Sequence, residues 1–195
     1  MAHRTWVDTW TGKKVDLLNP DPDQIEIEDI AHHLAILPRF TGATKHPYSI
    51  AQHSMYVSMM MPEYLRLHAL LHDAHEAYIN DINTPLKELL NTHSPNFDDP
   101  LRVIADGLDE AIRTKFDLEP LDSFGIFEIK RADMQAMADE KLWLKPNSQY
   151  DWAEYGLPPP AGRIEVTMTW REAKEAFLER FWRIYERTSE VQSHS

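Results

Sequence analysis

The segment LLHDAHEAYINDINTPLK, residues 70–87, places His72, Asp73, His75 and Glu76 directly after the apolar pair Leu70 and Leu71. Desolvating imidazole and two carboxylates so close together is costly unless a cation binds them. Two more ionisable residues fall on apolar helix faces: His53 recurs with Ile50, Val57 and Met60, and Asp133 with Ile126, Ile129, Ala136 and Met137, at spacings of three and four. In the segment between them, Leu65, Ala69, His72, Glu76 and Ile79 line up, with Asp73 next door. Two imidazoles and two carboxylates, from His53, His72, Asp73 and Asp133, form a first shell suited to a divalent metal such as Mn, Fe, Co, Ni or Zn. Coordination left open to water makes such a site catalytic rather than structural. An adjacent His-Asp pair serves one ion if it lies near a helix bend or end. Taken singly, each residue has a bland explanation, a hydrogen-bonded core histidine or a salt-bridged aspartate. All four together favour the ion.

The elements that must position these residues are helices. The 195-residue chain is 43% hydrophobic, which suits one compact, all-α domain with a short N-terminal hairpin. TWVDTWTGKKVDLL alternates around a Thr-Gly turn and reads as the hairpin. NPDPDQ is a loop, IEIEDIAHHLAIL a helix ended by Pro38, and RFTGATKHPY a loop. Ser49 is placed to cap the helix IAQHSMYVSMMM, which stops at Pro62. One long helix is expected from Glu63 to Tyr78, broken and restarted through INDINTPLKELL. Two further helices follow, DDPLRVIADGLDEAIRTKF and FGIFEIKRADMQAMADEKLWL. An irregular, proline-rich excursion covers 145–169, and an amphipathic helix 170–188 completes the chain. The division is an N-terminal extension over 1–30 and a metal core over 49–141, all within one domain.

Composition narrows the partners. The net charge of −12 argues against binding a nucleic-acid polymer, and a phosphate-bearing ligand would need local cations or a metal. The absence of cysteine excludes thiolate ligands and nucleophiles. No apolar run reaches roughly eighteen residues, so no membrane span is expected. The start, MAHRTWVDTW, lacks the apolar run of a secretory signal, and a cytoplasmic setting is expected.

The order H53…H72-D73…D133, with RF…YSIAQHS…LLHDAHEAYINDINTPLK…KRADMQAMADEK, resembles the HD-domain metal-dependent phosphohydrolases, an all-helical superfamily. Within it the chain is similar to the bacterial 5′-deoxynucleotidases and to phage relatives that hydrolyse dATP. The likeness is dense over 5–141 and thin beyond. It implies metal ligands at His53, His72, Asp73 and Asp133, for an ion that could be Co, Mn, Zn, Ni, Fe or Mg. It implies catalysis by Glu76, one turn past His72, which orients or deprotonates the attacking water, with Asp73 part of the same machinery.

For the substrate, the likeness implies a phosphate contact at Arg39, a sugar 3′-hydroxyl contact at Asp81, and a second phosphate-facing cation at Lys87. Phe40 is placed to stack on a base, while Lys45 and His46 follow in the loop as candidates for further phosphates. Their bland readings are a helix-end residue for Asp81 and solvated side chains for the lysines. The implied reaction is hydrolysis of the 5′ phosphate ester of a deoxynucleotide, giving triphosphate from a dNTP or phosphate from a dNMP. Two alternatives stand beside it: a metal-binding nucleotide sensor without turnover, and a phosphodiesterase or pyrophosphohydrolase of the same superfamily. Relatives assemble as dimers or larger, so a homodimer or higher homo-oligomer in a bacterial or phage-infected cytoplasm is expected. The aromatic face of FLERFWRIYERT would pack internally or against a second subunit.

Overall fold

The computed structural model describes residues 4–93, 99–145, 156–164 and 167–192. Alternation at the N-terminus gives β1 (Trp6–Asp8) and β2 (Lys14–Asp16), paired antiparallel with Val7 opposite Val15. The turn between them includes Gly12 at φ +85°, a conformation that costs glycine little. The hairpin is fastened to α1 (Ile27–Ile36) by a buried carboxylate: Asp29 accepts from Thr11 N at 2.7 Å and from Thr11 Oγ1 at 2.8 Å.

α2 (Ile50–Met59) starts where Ser49 predicts. Gln52 N donates to Ser49 Oγ at 3.3 Å and Ser49 N to Gln52 Oε1 at 3.4 Å, a reciprocal cap that satisfies two backbone donors. The loop before α2 is pinched at its neck. Arg39 N donates to Tyr48 O at 2.9 Å and Ile50 N to Leu37 O at 3.0 Å, so Arg39 enters the interior at the loop's base.

The expected long helix over 63–78 is not continuous. A single 3-10 turn (Glu63–Leu65) leads into α3 (Arg66–Leu70), the chain then turns through 71–75, and α4 (Glu76–Ile79) follows. No glycine or proline marks this break. Its bonds are three-residue turns, Ala74 N to Leu71 O and Glu76 N to Asp73 O, both at 3.0 Å. The carbonyl of Ala69, released by the break, is taken up by His72 Nδ1 at 2.8 Å. Adjacent residues in a continuous helix point about 100° apart; the turn lets His72 and Asp73 face one place.

After α5 (Thr84–His93) come α6 (Pro100–Lys115), capped by Asp99, and α7 (Ser123–Leu144), capped by Asp122. α8 (Trp170–Gln192) buries Ala173, Phe177, Phe181 and Ile184 along one face and lies on α1 and α2. Its aromatic face packs internally in large part: Phe181 stacks on Tyr185 and meets Phe116 edge-on at 5.0 Å, while Trp182 stays 42% exposed. A smaller core of Val57, Met61, Leu65, Ala69, Ile129, Ala132 and Ala136 joins α2, α3 and α7. The alanines on either side of Asp133 let α7 approach closely. Ile126, read from spacing as part of the inward face, is 58% exposed.

Residues 156–164 of the excursion are irregular and are held by buried Asp139, which accepts from Ala161 N at 2.7 Å and Gly162 N at 2.9 Å. The excursion over 146–155 and 165–166 lies outside the described residues. No helix among the described residues is long and apolar enough to cross a membrane.

The Asp29 clasp gives a stability prediction. Asp29→Ala removes the acceptors of two Thr11 donors and should lower folding stability by about 1–3 kcal/mol in urea titration. An unchanged midpoint would mean that the hairpin contributes nothing to holding α1.

Candidate metal centre

Three separate segments meet behind the small core. α2 brings His53, the turn between α3 and α4 brings His72 and Asp73, and α7 brings Asp133. His53 Nε2 lies 3.3 Å from Asp133 Oδ1 and 3.6 Å from Asp73 Oδ2, and His72 Nε2 lies 3.2 Å from Asp73 Oδ2. Atoms about 2.1 Å from a shared ion stand about 3.0 Å apart along an octahedral edge and about 3.4 Å apart in a tetrahedron. The observed spacings match that range. Both Nε2 atoms are buried, yet neither has a hydrogen bond of good geometry.

The outer nitrogens are already committed. His53 Nδ1 lies 2.7 Å from Glu140 Oε1, and His72 Nδ1 lies 2.8 Å from the Ala69 carbonyl. Each imidazole therefore turns its Nε2 inward, the second-sphere arrangement typical of metal-ligating histidine. His53, His72 and Asp133 form a group that can hold a metal ion, and the donor set suits a first-row cation.

Electrostatics point the same way. Burial opposes ionisation of Asp73 and Asp133, but His72 and His53 outweigh it and hold both carboxyls below their ordinary range. Burial pulls His72 down, Asp73 and Asp133 pull harder, and the net position is about 9. Glu76 behaves oppositely. Burial, reinforced by Asp73 and Asp81, pushes it up to about 9 against Arg39 and Lys87, and its Oε2 is buried with no hydrogen-bond partner.

Arg39 is buried and donates to Glu140 Oε2 from Nε at 3.3 Å and from a terminal nitrogen at 3.1 Å. Its charge is also felt by Asp73, Glu76 and Asp81. Asp81, half-buried just after α4, is raised by burial first and by Asp73, with Arg39 and Lys87 opposing. Lys87, half-buried on α5, contributes opposing positive charge at both Glu76 and Asp81. Phe40 sits beneath two cations, Arg39 at 5.2 Å and Lys145 at 4.9 Å, with its backbone left-handed at φ 53°. Lys45 and His46 are exposed in that loop, with Lys45 N donating to Leu144 O at 2.9 Å. His75 is turned away, its Nδ1 2.9 Å from Asp109 Oδ1.

A cavity of about 380 Å³ opens beside His72, Asp73 and Asp133, with Leu71, Ile112, Leu121 and Ile129 in its walls. Lys130 reaches Asp133 Oδ2 at 2.7 Å on the same side.

Sequence reasoning did not single out Glu140, which is 0% exposed and bonded to both His53 and Arg39. The signal was present. Glu140 follows Asp133 by seven residues, two turns along the same face of α7.

No family model matches the chain. The chain is 34% identical over 179 residues to the uncharacterized protein YfdR of Escherichia coli, covering 91% of this chain and 94% of that protein. It is 41% identical over 107 residues to an uncharacterized protein of Rhodobacter capsulatus, covering 50% of this chain and 55% of that protein.

The titrations give a signed prediction. In metal-free protein, His72 moves from an ordinary 6.5 to about 9, so its stabilisation is complete below pH 6.5 and lost as pH rises through 9. Glu76 moves from 4.5 to about 9, retains a proton that the unfolded chain releases, and adds a loss of the same sign. Metal-free stability should therefore fall from pH 6.5 to 9, and saturating Mn²⁺ should flatten the fall by replacing the protons. Melting curves with and without Mn²⁺ measure both slopes; identical slopes would remove the ion from this site.

Proposed function

Given that the chain belongs to the family of the Escherichia coli protein YfdR, we propose that it is a metal-dependent phosphohydrolase of the HD superfamily that cleaves the 5′ phosphate ester of deoxynucleotides. The observation that carries this reading is the meeting of two partnerless imidazole nitrogens and two carboxylates within 3.2–3.6 Å. His53, His72, Asp73 and Asp133 would hold the ion. When bound, a divalent metal supplies Lewis-acid activation of water and of a phosphoryl oxygen.

The chain's own residues account for the rest. Glu76 Oε2, buried and partnerless, orients the attacking water in line; with a cation in the site favouring its ionised form, the carboxylate would accept the water's proton and return it to the departing 5′ oxygen. Arg39, buried and held at one edge by Glu140, offers its remaining N–H donors to oxygens whose charge grows during phosphoryl transfer. Asp81 accepts from the sugar 3′-hydroxyl, Lys87 faces the phosphate, and Phe40 stacks on the base. Lys45 supplies charge toward more distant phosphates. The cavity of about 380 Å³ beside His72, Asp73 and Asp133 has mixed walls, Leu71, Ile112 and Ile129 together with Asp109, Arg113 and Lys130, and lies apart from Arg39, Phe40, Asp81 and Lys87.

A dNMP and a dNTP offer the same bond for cleavage, between the α-phosphorus and the 5′ oxygen. The reading is broad deoxynucleotide use, purines included, in an oligomeric cytoplasmic enzyme.

Metal-loaded protein incubated with dNMPs and dNTPs in parallel should release deoxynucleoside together with phosphate or triphosphate. No release from either would overturn the assignment. Glu76→Gln should lower kcat by about 10²–10⁴-fold while metal content stays constant. Equal turnover by that variant would remove Glu76 from the chemistry.

A further inference from the structure

Glu140 is the most enclosed acid near the site, 0% exposed on α7. Two side chains donate to its carboxylate. His53 Nδ1 stands 2.7 Å from Oε1, and Arg39 reaches Oε2 twice at 3.3 and 3.1 Å. The buried Tyr48 phenol lies close enough that, after burial, the charge of Glu140 raises its pKa further. A carboxylate withdrawn from water to this degree survives only with such partners. Both donors are groups assigned separate tasks above, a metal ligand and the phosphate-binding arginine.

The geometry constrains His53 closely. Its inner nitrogen faces Asp133 Oδ1 at 3.3 Å and Asp73 Oδ2 at 3.6 Å, two acceptors that would draw the ring proton onto Nε2 and close that nitrogen to a cation. Glu140 competes from the other side at 2.7 Å and keeps a proton on Nδ1. The same carboxylate fixes the plane of the Arg39 guanidinium by a two-point contact, so the remaining N–H groups have a set direction.

We propose that Glu140 is a positioning residue that couples the two halves of the site, holding His53 in the metal-accepting tautomer and Arg39 in its phosphate-binding orientation at once. This rests on the metal-dependent phosphohydrolase reading. A purely structural role, tying α7 to the neck of the 39–48 loop, would change stability and leave both ligand affinities alone.

The test uses the full chain and two probes, Mn²⁺ alone and inorganic phosphate added to Mn²⁺-loaded protein, by calorimetric titration. Glu140→Gln keeps the shape but supplies an amide that can donate to Nδ1. It should weaken Mn²⁺ binding by about 10–100-fold and weaken phosphate binding as well. In ¹⁵N spectra of the metal-free protein, recorded at a pH high enough that the His53 ring carries a single proton, that proton should move from Nδ1 toward Nε2. Glu140→Asp retracts the charge without removing it, and should weaken both affinities together by a smaller factor; it serves should the amide variant not fold. Tyr48→Phe, which removes the neighbouring hydroxyl and leaves both bonded partners in place, should leave the His53 tautomer unchanged. Wild-type affinities in Glu140→Gln and Glu140→Asp, or loss of Mn²⁺ affinity with phosphate affinity intact, would overturn the coupling. Failure of the wild-type protein to bind Mn²⁺ would instead overturn the metal reading itself.

Discussion

The rest of this structure depends on one electrostatic constraint, the confinement of Asp73, Asp133, Glu76 and Glu140 to one poorly hydrated region. Glu76 is 5% and Glu140 0% exposed, and the side chains of Asp73 and Asp133 are 19% and 13% exposed. Four carboxylates cannot all ionise there without positive charge nearby. Glu140 resolves its share through Arg39. Asp73 leans on two imidazoles, and Asp133 on His53 and Lys130. Arg39 and Lys87 act on Glu76 too weakly to offset its burial, and it holds its proton. The division of labour among chemically identical groups thus follows from which cation each one touches.

That constraint also explains the local folding. A continuous helix through 71–75 would have separated His72 from Asp73 by about 100° around the axis. The turn brings them together, and the helical hydrogen bond it sacrifices at Ala69 is recovered by His72 itself. Elsewhere the scaffold is regular. Alanines on α3 and α7 let the helices approach, a reciprocal cap starts α2, and the pinched neck at 37–50 delivers Arg39 to the interior.

Much of this is legible in the sequence, for identifiable reasons. His53 and Asp133 stand at apolar spacings, so periodicity alone turns them inward; Ser49 before an apolar run is a local capping signal with a local consequence. The break in the expected helix is not legible. Its residues include no glycine or proline, and the modest helix propensity of His72, Asp73 and His75 is too weak a signal to mark a break, so tertiary context decides it. Glu140 is an intermediate case. Its spacing from Asp133 places it on the right face, but only the folded chain shows that this face meets Arg39, 101 residues earlier. Lys87 was equally ambiguous as a sequence letter, and only the folded chain shows its charge acting on Glu76 and Asp81.

The span of these contacts bears on how the protein matures. His53 and Glu140 are 87 residues apart, and no local stretch of chain contains more than two of the four candidate ligands His53, His72, Asp73 and Asp133. Loop closure over such distances comes late, after nearby helices have formed and docked. On the proposed reading, a cation would meet a complete cage only in chains that have finished folding, and bound ion would become a tally of native molecules. Lesions in distant packing, such as that of α8 on α1 and α2, would then register as lost ion occupancy without touching any of the four side chains.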